Sequence, residues 1–479
     1  MPADDPQSVS DRGLPVPALT GMLLAASLAP LGSTMIAVAL PRIGHDIGVE
    51  VSRLTPWLVT SYLIASIALQ SPGGKLGDLI GHGRAIIVGL AVVALGSAIG
   101  LFGGDAHTLG AARILMASGG AATVPATMAI LRNQTAAARR ARIFGLFGAC
   151  MGLAAAVGPL VAGELTQRFG WRAVFAANLP VVAVSLVLVM LSRGTYARAS
   201  AARPSFDWPG SALLAAGLTL TIVSLQISGG ATAWWLGGLG VVLLFLFPVW
   251  ERRAASPVVD FSLLTRGAFF GGASIIALQN MAMYPLLFQL PVFFDRVRGL
   301  GARPMGQALL ALTLAMMISS VAGGRLAERI GARTQTLIGS LVALAGMYWF
   351  ADFESVKAPT DVMPGMLLMG LGVGMTSPPA QAASMSTVGR EQSGMAGGVV
   401  STMRYIGGVA GATVLSALMR DASSPASHQR PVLVYAGALV VAAGLSLLLP
   451  GRIARDTEAS SSASMGSPPR TRRTQSNPK

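Results

Sequence analysis

The residues with chemical potential in this chain are few, and nearly all stand in or beside long apolar runs. Arg113 and Arg404 lie inside such runs. A guanidinium placed in lipid costs about 2.5–3.5 kcal/mol on insertion scales, and it is normally retained facing a cavity or a partner. For Arg113 the other option is snorkelling to the interface. For Arg404 the options are an anionic ligand group or a structural pair. Amides at Asn178, Gln279, Asn280 and Gln289 also fall in apolar runs. Each needs hydrogen-bond partners there, from a cavity or from another helix. Trp57, Tyr62, Tyr284 and Phe288 suit either a cavity wall or interfacial belts and core packing. Four histidines are scattered without metal-ligand spacing, and the single cysteine, Cys150, is embedded in an apolar run. The pattern offers binding and gating groups, without a nucleophile–base set or a clustered metal site. GLGVG at 370–374 lies in an apolar helix without the strand that a dinucleotide site needs, and no Walker pattern is present.

The elements that position these groups are membrane helices. The 479 residues are 53% hydrophobic and 11% charged, with a mean hydropathy of +0.62. A soluble chain carries about a quarter charged residues. Fourteen runs approach the length of a bilayer-spanning helix. They cover 16–40, 54–74, 85–104, 108–131, 143–163, 173–191, 208–228, 232–250, 267–294, 304–324, 334–351, 362–388, 394–419 and 431–450. The expected class is all-α integral membrane. The net charge of +15 is spread over short loops, which argues for topology signals and against nucleic acid. With the N-terminus inside, inner segments hold 23 of the 35 Lys and Arg and outer loops hold 10. Both termini are therefore expected in the cytoplasm.

One segment occurs twice. GKLGDLIG at 74–81 and GRLAERIG at 324–331 share glycine, base, Leu, small residue, acid, Ile and glycine at an offset of 250 residues. Gly74 and Gly324 suit close backbone approach as their helices end. Gly81 and Gly331 permit a tight turn. Asp78 and Glu328 sit at helix C-termini, where the helix dipole disfavours an anion, so each needs an outside donor such as a neighbouring helix N-terminus or an arginine. Such a contact latches one face shut and must break when that face opens. Gly148, Gly152, Gly158 and Pro159 lie along another helix, where Pro159 removes a backbone hydrogen bond and predicts a kink.

These residues resemble the major facilitator superfamily. GKLGDLIGHGR at 74–84, including Arg84, is similar to its loop between helices two and three. The count of fourteen resembles the drug:proton antiporter branch with two inserted central helices. Trp57, Leu58, Val59, Thr60 and Tyr62 resemble that branch's second helix. Gly158, Pro159 and Gly163 resemble the antiporter motif of the fifth helix. Trp171, Arg172, Phe175, Asn178 and Pro180 resemble the entrance to the sixth, and Phe206, Asp207, Trp208 and Gly210 the start of the inserted pair. By the same resemblance Arg113 is the fourth-helix residue linked to proton coupling. Three positions depart from the pattern. Gly32 stands where the branch carries a helix-one acid, Met116 and Ala117 replace Gln-Gly, and Ala162 replaces a glycine.

The resemblance implies two six-helix bundles, 16–192 and 267–450, rocking about a central cavity. A linker with two inserted helices at 193–266, a cytoplasmic segment at 1–15 and a disordered basic tail at 451–479 complete the expected organisation. The implied activity is efflux of drugs or other small organic molecules by a monomer in a bacterial inner membrane. The proton gradient is its energy source, and no cofactor or metal is expected. A facilitator or importer of the same fold, a transport-inactive sensor and a membrane enzyme are the alternatives.

Overall fold

A computed structural model describes residues 14–192, 206–226, 230–254, 257–299, 305–419 and 424–451. The expected N-terminal segment before residue 14, the linker at 193–205, the tight hairpin at 227–229 and the basic tail from 452 lie outside these residues. Every described element is helical. In chain order the main helices are α1 Val16–Ile47, α2 Ser61–Ile80, α3 His82–Phe102, α4 Ala106–Asn133, α5 Arg140–Phe169, α6 Asn178–Leu191, α7 Trp208–Gln226 and α8 Ala231–Glu251. They continue as α9 Gly267–Met283, α10 Leu286–Arg296, α11 Met305–Ile330, α12 Ala332–Tyr348, α13 Pro359–Ser386, α14 Ser393–Leu418 and α15 Pro425–Leu445.

Most of the fourteen apolar runs fall on one of these helices; the second and sixth begin in short helical segments that lead into α2 and α6, and the ninth divides. That run breaks at Tyr284–Pro285 into α9 and α10, because a proline has no N–H for the helix ladder. A π-helical turn, Pro56–Thr60, leads into α2. Eight described helices are long and apolar enough to cross a membrane by length and composition. The more polar ones, such as α13 with Thr376, Gln381 and Ser384, bury those groups against other helices.

Several helices outrun the apolar segments that predicted them. α1 continues through Pro41 to Ile47 and ends at Gly48, whose φ of 68° terminates the helix in the left-handed region. α2 and α11 run through the repeated segment to Ile80 and Ile330, so Gly74 and Gly324 lie inside helices and not at their ends. The turns come afterwards, at Gly81 (φ 92°) and Gly331 (φ 88°). α4 begins at Asp105, whose Oδ1 accepts from the N–H groups of His107 and Thr108. The Thr108 hydroxyl and amide hold that carboxyl below its ordinary value.

The repeat extends beyond its eight residues. Gly89 and Gly96 on α3 press against Gly119 and Ala112 on α4. Gly339 and Gly346, 250 positions later on α12, press in the same way against Gly372 and Gly365 on α13. A Cβ at Gly89 would lie 2.7 Å from the Gly119 carbonyl oxygen, and one at Gly346 would lie 2.8 Å from that of Gly365. Glycine stripes of this kind let helix backbones touch where apolar burial alone supplies little attraction in lipid.

The interior divides accordingly. One apolar cluster is built from residues between Met35 and Phe175, including Leu58, Tyr62, Met116 and Trp171. A second is built from residues between Ala282 and Leu439, including Phe293, Phe353, Met366 and Tyr435. A third joins residues from both sets of helices. α5 packs along α11, and α2 along α14. α7 lies on α2, while α8 turns Trp234, Trp235 and Phe245 outward, as a lipid-facing helix does. At the base of this inserted pair, Asp207 accepts from the Gly210 N–H (2.9 Å) and from Trp250 Nε1 (3.0 Å).

Candidate functional site

The first part of the site is a closure between the N-terminal and C-terminal sets of helices. Asp78 reaches from the last turn of α2 to the first turn of α14. Its Oδ1 accepts from the Gly394 N–H at 2.7 Å and its Oδ2 from the Met395 N–H at 2.8 Å. The helix-terminal anion has found an opposing helix N-terminus, where free N–H groups and the positive dipole end favour it. His82 Nε2 stands 3.0 Å from the same Oδ1. Gly74, one turn earlier, touches the Gly394 carbonyl, so no side chain fits between the helices there.

Further contacts run inward from this latch. Gly398 meets the Gln70 backbone, and the hydroxyls of Ser71 and Thr402 lie 3.5 Å apart. Across the molecule, a Cβ at Gly324 would lie 2.6 Å from the Ala141 carbonyl oxygen. The Ser320 hydroxyl donates to the Gly145 carbonyl at 3.0 Å. Gly148 and Gly152 face Ser320 and Met316 from α5. Arg132, at the end of α4, donates to the carbonyls of Met385 (3.1 Å) and Val388, closing the C-terminus of α13. Asn133 Nδ2 donates to the Ser393 hydroxyl at 2.8 Å. Among the described residues, the hydrogen bonds between the two sets of helices lie in the half of the molecule that carries the 74–81 segment, so this face is shut.

The two closures are related by the repeat but are not equivalent. Gly74 meets Gly394, and Gly324 meets Ala141. Glu328, the counterpart of Asp78, is exposed and makes no hydrogen bond or ion pair among the described residues. Arg84 is likewise exposed, with no such contact among them. α5 runs unbroken through Pro159, and Gly158 packs directly on Thr34 and Leu31 of α1.

The second part of the site is a pair of interior arginines. Arg113 does not snorkel: its side chain is 1% exposed. Its Nε donates to the Leu58 carbonyl at 2.8 Å and its Nη1 to the Gly32 carbonyl at 3.1 Å. The guanidinium lies 3.9 Å from the centre of the Tyr62 ring, a cation–π contact, and the Tyr62 hydroxyl donates to the Ala29 carbonyl. Asn178 completes the group. Its Nδ2 donates back to Val174 and Phe175, while its buried Oδ1 has no hydrogen-bond partner among the described residues. A Cβ on Gly32 would lie 3.7 Å from that oxygen and 3.9 Å from Arg113 Nη1. The helix-one position that lacks its acid thus faces Arg113 directly, and backbone carbonyls replace the carboxylate.

Arg404 lies on α14 with Tyr284 and Tyr405 within electrostatic reach. Gly408, one turn along the same face, meets the Tyr284 ring at 3.4 Å. Tyr405 in turn lies within electrostatic reach of Tyr62, the ring beneath Arg113.

The remaining amides divide. Gln279 is fully buried on α9, with Ser377 donating to its Oε1 at 3.4 Å and its Nε2 unpartnered among the described residues. Asn280 Nδ2 returns to the Ile276 carbonyl of its own helix. Gln289 Nε2 donates to the His428 carbonyl at 2.6 Å, tying α10 to α15 in the second apolar cluster, away from the arginines. Trp57 is 41% exposed and meets His107 edge-to-face with ring centroids 4.5 Å apart, an interfacial setting. The Phe288 side chain is outside the described set. Arg132, and Glu251 beside Asp207, carry no signal of their role in the sequence. Counting loop charges treats Arg132 as one cation among many and is blind to which cation caps a neighbouring helix.

Comparison with known proteins agrees with this architecture. The profile of the Major Facilitator Superfamily matches residues 22–412. YvkA of Bacillus subtilis (strain 168), an uncharacterized MFS-type transporter, is 31% identical over 82% of this chain and 88% of its own. The multidrug transporter protein MdtP of the same organism is 28% identical, covering 85% of this chain and 75% of its own. The tetracenomycin C resistance and export protein of Streptomyces glaucescens is 29% identical over 87% and 79%. The crystal structure of the human organic anion transporter MFSD10 shares the fold with a TM-score of 0.66 at 15% identity, covering 90% of this chain and 100% of that one. A family profile over most of the length and a relative above 30% identity place this multi-pass membrane protein: the chain belongs to the Major Facilitator Superfamily, whose members are transporters of small molecules.

Proposed function

We propose that this protein exports drugs or other small organic molecules across a bacterial plasma membrane by alternating access. The observation that carries this reading is the Asp78 latch. A carboxylate seated on the N-terminus of an opposing helix holds one face shut, and it is built to release when that face opens. The excess of basic residues in the loops on this side supports reading it as cytoplasmic, with both termini there. Relatives named for multidrug transport and antibiotic export support the direction of transport. The protein works as a monomer without a cofactor, drawing on the proton gradient as the resemblance implies.

One observation favours a second mode of coupling. Gly32 faces Arg113 where an acid is expected, and the described acids stand in loops or toward helix ends. A facilitator without proton antiport needs no interior acid.

Everted membrane vesicles test both modes. Accumulation of a fluorescent substrate that depends on an imposed pH gradient supports antiport. Equilibration independent of that gradient supports the facilitator. Absence of flux across a broad panel of organic molecules contradicts export.

A further inference from the structure

Among the described residues, the interior arginines have no protein anion beside them. Arg113 is held by two backbone carbonyls and a tyrosine ring, none of which cancels its charge. Arg404 is the twelfth residue of the 26-residue α14, near its midpoint. It makes no hydrogen bond or ion pair among the described residues and remains partly accessible. Tyr284, just after α9, packs against Gly408 one turn along from Arg404, and Tyr405 is the neighbour of Arg404 in the chain; both phenols lie within electrostatic reach of the guanidinium. The two buried arginines, Arg113 and Arg132, are held by backbone carbonyls, and Arg404 has no such acceptor among the described residues. An unpaired guanidinium at mid-membrane is a liability that selection removes unless a ligand supplies the counter-charge.

We propose that the transported molecule is an aromatic organic anion, and that its carboxylate, phenolate or sulfonate group docks on Arg404. This rests on the export reading and specifies its substrate class. Arg404 offers five N–H donors in a planar fork suited to a carboxylate. Tyr284 and Tyr405 flank the aromatic body, and Arg113, nearer the opposite face, keeps the outward path positive. An inside-negative membrane potential favours outward movement of such an anion, in step with export.

The test uses the full-length protein in lipid nanodiscs and three matched probes: 2-naphthoate, 2-naphthylmethylammonium and 2-naphthylmethanol. The anion should bind best. Arg404→Gln should weaken naphthoate about tenfold or more while leaving the alcohol unchanged, as loss of a charge-assisted hydrogen bond requires. Arg404→Lys, which keeps the charge, should retain part of the affinity and guards against a simple folding defect. Tighter binding of the ammonium or the alcohol overturns the proposal, as does unchanged naphthoate affinity in a monodisperse Arg404→Gln protein. Export of cationic or neutral dyes by a protein that ignores naphthoate sinks the substrate class and leaves export standing. Naphthoate binding through Arg404 without flux of any compound in vesicles sinks export and leaves the anion site standing.

Discussion

Asp78 and Gly394 stand 316 residues apart in the chain and 2.7 Å apart in the structure, carboxylate oxygen to backbone N–H. With the second bond to Met395, this makes one side chain the hinge pin between two sets of helices. An asparagine at position 78 keeps one acceptor oxygen and turns an amide donor toward the other N–H. Charge-assisted hydrogen bonds are worth about 1.5–3 kcal/mol, so Asp78→Asn should slow transport about tenfold at unchanged membrane content. The check is initial flux normalised to protein in the membrane; wild-type flux would remove the latch from the account.

Glu328 gives the opposite expectation. It occupies the matching place in the repeat yet is exposed, with no bonded partner among the described residues. Surface substitutions of this sort stay within about 0.5 kcal/mol, so Glu328→Gln should transport within about twofold of wild type. A defect as large as that of Asp78→Asn would mean that the two closures carry equal weight.

The glycine contacts predict a steric version of the same effect. A Cβ on Gly324 meets backbone atoms, the Ala141 oxygen at 2.6 Å and the Arg142 Cα at 2.9 Å, and neither can turn aside. Overpacking at such a contact costs about 1–3 kcal/mol. Gly324→Ala should therefore populate the state open at this face. Ser320, 2% exposed in the closed form, supplies the readout. In a background with Cys150, the sole cysteine, replaced by serine, Ser320→Cys should react faster with a water-soluble maleimide when Gly324→Ala is present. An unchanged labelling rate would contradict the packing argument.

Position 32 tests the missing acid. The nearest atoms to a Cβ there are Met116 Cε at 3.4 Å, Asn178 Oδ1 and Arg113 Nη1, so a side chain fits. Gly32→Asp should place a carboxylate beside the Arg113 guanidinium, neutralise it, and make flux respond to an imposed pH gradient more steeply than wild type does. If flux in Gly32→Asp and wild type shows the same dependence on the gradient, Arg113 and position 32 are not part of coupling.

Much of this architecture is legible in the residues. Helices need only composition and length, and the repeat at 74–81 and 324–331 names its own turns, since Gly81 and Gly331 both adopt positive φ. Helix ends are misread because an apolar run stops at the first charges, whereas α1 and α2 stay helical through Arg42 and Lys75 by packing on other helices. The break at Pro285 is written in the sequence, but the continuous apolar pattern masks it. The demand of Asp78 for a donor follows from helix electrostatics. Which of the other helices supplies it is a tertiary fact with no local signature. The asymmetry between Asp78 and Glu328 is equally invisible, because the two segments match in type and spacing.

The most direct test of a gate that opens and closes is a distance between its two lips. Arg84 and Glu391 are exposed beside the latch, one on each set of helices, and spin labels at Arg84→Cys and Glu391→Cys can be read by pulsed electron paramagnetic resonance in nanodiscs. The account predicts a short distance in the resting protein, a second and longer population when a transported dye is added, and a dominant longer population in Asp78→Asn. A single distance, unmoved by substrate and by Asp78→Asn, would contradict it.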